Sequence, residues 1–165
     1  MECDEKIGAR IRQFMDDCNT FYEQGQLSKA RDSLFEAWGI LPDEKYIYDE
    51  SYWIVAFILD LSIELHDMDV ANQWADKILK CDLERQDDGD REMWVGKVLC
   101  ESGETDEAKK YFEIAFKKSE GRCFSTDYQF CGFVYRSPGF TGGYDASFDR
   151  HADVVGEPDY GYVCG

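Results

Sequence analysis

The chain has 165 residues, of which 35 are Asp or Glu and 18 are Lys or Arg, giving a formal net charge of −17. At 19.1 kDa it is sized for one domain, or one domain with a tail, and can bury roughly 70% of its unfolded surface without metal or disulfide staples. The charge balance excludes a nucleic-acid binder and docking on anionic lipid, because no basic surface exists to displace counterions or meet headgroups.

In chain order, Met1-Glu2-Cys3-Asp4 leads into no apolar stretch, so no secretory leader is expected. Helix formers dominate residues 1–120, where Pro42 is the only proline. Apolar periodicity predicts six helices, at 4–24, 28–41, 50–66, 69–81, 90–102 and 105–118. Gly25 and Gly103 stand where one helix must stop and reverse, a place for left-handed backbone. Ser28 and Thr105 are candidate N-caps for the helices that follow, and Asp49 or Ser51 for the helix carrying Trp53. Pro42 ends the second helix. Leu27 and Met68 occupy turn positions that tuck into the core. Phe14, Phe21, Trp38, Phe57, Leu61, Trp74, Trp94, Tyr111 and Phe112 read as core.

Three segments repeat one another. Gly25, His66 and Gly103 are each followed five positions later by an alanine, Ala30, Ala71 and Ala108. A methyl group at such a position lets two helix backbones approach. Leu34, Ala37 and Pro42 continue the first copy, Ala75 and Ile78 the second, and Phe112 and Ala115 the third, in which Val95-Gly96 precedes the turn. The pattern resembles the tetratricopeptide repeat, closely in the first and third copies. In the second, His66 replaces the turn glycine and Leu59 a small residue. The alanines are 41 and then 37 positions apart, against about 34 in the family. The excess is expected in the polar connections Asp43–Ser51 and Asp82–Asp90. The resemblance implies an all-α fold over residues 1–122: three antiparallel helix pairs in a short right-handed superhelix.

After Arg122 the composition changes. From Thr126 onward the chain has no Leu, Ile, Met or Lys, but seven glycines and nine aromatic residues. Residues 123–165 read as an irregular or small-β extension, with a strand from Tyr128 to Tyr135 and a second around Gly132. It is either packed over the last helix pair, disordered, or foreign to the scaffold through a late frame change.

No catalytic, cofactor or metal constellation emerges. The seven cysteines are scattered without a CxxC pair, and the histidines are only His66 and His151. Free thiols in a reducing cytoplasm are expected, and no cofactor. Asp87-Asp88-Gly89-Asp90 lacks the alternating ligands and closing Glu of a calcium loop. No enzyme is expected; what remains is protein binding. In tetratricopeptide arrays the first helix of each pair lines a concave groove. The resemblance then implies groove residues Arg12, Met15, Asn19, Tyr22 and Glu23 from the first helix. The third helix supplies Trp53, Ala56, Asp60, Ile63 and Glu64, and the fifth Asp90, Met93, Lys97, Cys100 and Glu101. Aromatic anchors carry interface energy, and acids steer a basic partner.

Asp49-Glu-Ser-Tyr-Trp53, Lys80-Cys-Asp-Leu-Glu-Arg85 and Lys117-Lys-Ser-Glu-Gly-Arg122 further resemble small bacterial tetratricopeptide proteins found beside polymorphic toxin genes. That resemblance runs from about residue 4 to Phe124. It implies an immunity protein that neutralises a basic cognate toxin; a secretion chaperone or an assembly adaptor is the alternative.

Overall fold

The computed structural model describes residues 1, 3–81 and 87–124, together with 129–130, 133–134 and 143–144. Its body is all-helical: α1 Glu5–Glu23, α2 Leu27–Ile40, α3 Asp49–Glu64, α4 Met68–Ile78, α5 Asp90–Glu101 and α6 Thr105–Ser119. Short 3-10 turns lie at Lys45–Ile47 and Arg122–Phe124. Three two-residue strands, β1 Gln129–Phe130, β2 Phe133–Val134 and β3 Gly143–Tyr144, pair antiparallel in that order. The rest of the expected extension, with Cys131, His151 and Cys164, lies outside the described residues.

The three turns share the same backbone hydrogen bonds. Gly25, His66 and Gly103 all adopt left-handed backbone, with φ of 70, 54 and 83°. The residue after each donates its N–H five residues back: Gln26 to the Phe21 carbonyl, Asp67 to Ser62 and Glu104 to Leu99, at 2.9, 2.8 and 2.8 Å. That bond closes the carbonyl end of the first helix in the Schellman manner. Each of those residues then accepts from the alanine four positions on, Ala30, Ala71 or Ala108, at 3.0–3.1 Å. All three alanines are fully buried. The helices joined by these turns pack closely on one another, and α2 also packs on α3 and α4 on α5.

Because the turn already launches the helix, the expected N-caps Ser28 and Thr105 fall inside it. The capping positions are Gln26 and Glu104, without a side-chain bond. Aspartate caps appear instead at α1, where Asp4 accepts from Lys6 N–H, and at α4, where Asp67 accepts from Val70 N–H. The α3 cap is Tyr48, not Asp49 or Ser51. Ser51 is buried, and its hydroxyl donates to the Lys45 carbonyl. Helix α2 stops before Pro42 and has no glycine cap; Lys45 Nζ closes it by donating to the Trp38 and Leu41 carbonyls at 2.7 and 2.8 Å.

Helix α3 is the central element. Ile54, Val55, Ile58 and Leu59 are fully buried on it, each contributing about 1.5–3 kcal/mol of burial. Arg31 ties α2 to the next turn through Asp67 at 2.9 Å and Ser62 at 3.1 Å. Arg91, 2% exposed, donates to the Cys81 carbonyl at 2.9 Å and fastens α5 to the end of α4. Phe112 and Phe124 seal a second, smaller core with Met93, Ala108 and Ala115. Cys3, Cys18, Cys81 and Cys123 are free thiols. Cys100 departs from the free-thiol expectation, being disulfide-bonded.

Candidate protein-binding face

Side chains from α1, α3 and α5 meet in a polar row. Tyr22 at the end of α1 hydrogen-bonds the Glu64 carboxylate at the end of α3. Glu64 lies one turn beyond Asp60, and Asp60 interacts with Lys97 on α5. The row therefore crosses three helices in the order phenol, acid, acid and cation.

Burial shapes its electrostatics. Desolvation pushes the Asp60 carboxyl above the usual carboxylate range, with Lys97 pulling it partway back. Glu64 is raised too, by burial and then by the neighbouring Asp60 charge, while the Tyr22 hydroxyl opposes the shift. Lys97 is lowered by burial, against the attraction of Asp60 and Asp90. Its ammonium lies 4.3 Å from the centre of the Trp94 ring, close enough for a cation–π contact.

Two large rings stand exposed on α1 and α3. Tyr22 and Trp53 are each 49% exposed, unusual for rings that a core would cover. Trp53 stacks edge-on against Tyr52 at 5.2 Å and lies 6.3 Å from Phe57. These contacts hold its indole in place at little further entropic cost. Arg12 and Trp53 share one cavity at the start of the face.

The other expected groove residues divide. Asn19 and Glu23 are exposed on α1 and Glu101 on α5, but no described contact links them to the row. Met15 and Ile63 are half-buried against the main core. Ala56 is 4% exposed and Met93 7%. Met93 belongs to the small core under Phe112 and Phe124, so it is a packing residue and not a surface anchor. The reason is rotational: the start of α5 is buried on adjacent sides, with Arg91, Glu92 and Met93 all inside.

Sequence reasoning also missed residues. Glu50 borders the cavity beside Trp53 and Gly8. The available signal was Gly8 itself, a glycine inside a helix that otherwise favours good helix formers. Among the described residues, no cluster of His, Cys, Asp or Glu has the arrangement of a metal site, and no helix is long and apolar enough to cross a membrane. Comparisons with protein-family models, curated proteins and solved structures return no match.

Proposed function

We propose that the chain is a tetratricopeptide-type array that binds a basic protein, and that it acts in the cytoplasm as an immunity protein against a cognate toxin. The observation that carries this reading is the row from Tyr22 through Glu64 and Asp60 to Lys97, together with the half-exposed Trp53 on α3. The three turns of identical hydrogen bonding support the repeat architecture. A net charge of −17 supports fast, salt-sensitive capture of a positive partner. An acidic face of this kind occupies the surface that a basic nuclease would offer to phosphates. No catalytic role is proposed for any residue.

The test is co-expression. The gene immediately upstream in the source genome is expressed alone in a bacterium, then together with this chain, and survivors are counted. Killing that is reversed by the chain supports the reading. Charge reversal at Asp60, Glu64 and Glu101 together should then abolish rescue, and the on-rate of the purified pair should fall steeply with salt. A harmless upstream product sinks the immunity reading. The exposed rings of Tyr22 and Trp53 favour the second reading, a secretion chaperone or adaptor that grips apolar segments. Its binding would resist salt and fail on Tyr22→Ala with Trp53→Ala.

A further inference from the structure

Where α1 and α3 begin, a cavity of about 420 Å³ opens between them. Gly8 and Arg12 border it from α1, and Glu50 and Trp53 from α3. Gly8 is buried inside its helix, a position where glycine costs about 1 kcal/mol relative to alanine. A Cβ there would lie 3.4 Å from Arg12 Nη1, 3.8 Å from Glu50 Oε1 and 4.0 Å from Cys3 Cβ. The missing side chain thus leaves room at the point where the charged groups converge.

Glu50 is half satisfied: its carboxylate takes a hydrogen bond from the Cys3 thiol. Its Oε2 is enclosed without a hydrogen bond. The ion pairs at Asp49, Asp67, Glu92, Asp106 and Glu107 do not reach Glu50. The nearby Cys3 thiol is pushed up to about 11, by burial first and then by Glu50. It is therefore neutral near pH 7 and adds no compensating charge. An enclosed carboxylate oxygen without a hydrogen bond is costly. Asp49 is already held by the Met1 amino group at 2.7 Å, which leaves Glu5 and Glu50 against the single cation Arg12. The half-exposed Trp53 indole stands on the same wall. A carboxylate beside an aromatic face is the arrangement that receives a guanidinium, which pairs through its edge and stacks through its plane.

We infer that this cavity seats an arginine side chain of the basic partner, stacked on Trp53 and paired with Glu50. The inference rests on the binding reading above and gives that face a specific anchor. The probe is N-acetyl-L-argininamide, titrated into the full chain while the Trp53 indole N–H is followed by NMR and assigned with Trp53→Phe. A saturable shift is expected, with a midpoint of about 1–10 mM. Glu50→Gln should weaken it by at least about tenfold. Arg12→Gln should tighten it several-fold by removing the competing cation. Opposite movements in the two variants are not what a folding defect produces. A shift that does not saturate by about 50 mM, or a midpoint unchanged in Glu50→Gln, overturns the seat. The probe contains nothing else of a partner, so that failure leaves the co-expression result standing, and a failed co-expression leaves the titration standing.

Discussion

The first and third helix pairs carry the same repeat signature and close in different ways. In α1/α2 the turn glycine Gly25 has open space around it, and the helices meet through Ala30, Leu34 and Ala37, all fully buried. In α5/α6 the turn glycine Gly103 is equally open, yet two further glycines are pressed hard. A Cβ on Gly96 would lie 2.5 Å from the Phe112 ring, and one on Gly89 would lie 2.4 Å from the Ala115 carbonyl oxygen. The shared pattern specifies where the chain turns and where methyl groups cross. How closely the pair shuts depends on the further glycines a copy carries, here Gly96 and Gly89. Phe112 fits under Phe124 at 6.3 Å because Gly96 makes way for its ring.

The largest expected effect separates the two pairs directly. Gly89→Ala meets both a backbone clash and a φ of 79°, and should cost about 3 kcal/mol or more. Gly25→Ala meets only the φ of 70°, and should cost about 1 kcal/mol. Urea midpoints at constant slope measure both, and equal losses would erase the contrast.

A second, smaller effect concerns the charge contact that links α3 to the third pair. Burial raises Asp60, so over a window above the usual carboxylate range the folded chain keeps a proton that the unfolded chain has lost. Stability from this group is present below that window and falls as pH rises through it. Asp60→Asn should remove that fall, so the variant should gain on the parent between acid and neutral pH. Unfolding series at several pH values read the difference, and parallel curves would refute it. Lys97 acts at the alkaline end with the opposite sign. Its lowered pKa makes stability rise with pH from that value toward the usual lysine range.

The smallest effect lies in the middle pair, where His66 holds the glycine position at φ 54°. His66→Gly relieves left-handed strain but loosens the unfolded chain, for a net gain of about 0.5 kcal/mol. Calorimetry should show a slightly raised Tm. A loss would mean that the imidazole makes a contact of its own.

These cases also show what the sequence could convey. The turns and crossing alanines were legible because each answers a local demand, left-handed backbone at one position and close approach at the other. Even the substitution at His66 was readable, since its neighbours held the register. The caps at Ser28 and Thr105 were misread because a Schellman turn leaves them nothing to do. Met93 was misplaced because burial of Arg91 and Glu92 turns the start of α5 inward, and charged residues in sequence suggest a solvated face. Tyr22, Asp60, Glu64 and Lys97 did come together. Glu50 stayed hidden because its unmet hydrogen bond is a property of enclosure, which no spacing records.

The closure of α2 by Lys45 has a chemical corollary. An amine pinned by donating to two carbonyls at 2.7 and 2.8 Å must swing away from them before it can attack an acylating reagent. Lys110 is 65% exposed and paired only with Glu107 one helical turn away, so it need break no helix-end bond to react. Under brief treatment with an activated ester, Lys45 should label far behind Lys110 and catch up when α2 frays. Its reactivity thus becomes a built-in gauge of how firmly that helix end is shut, readable peptide by peptide in a mass spectrometer.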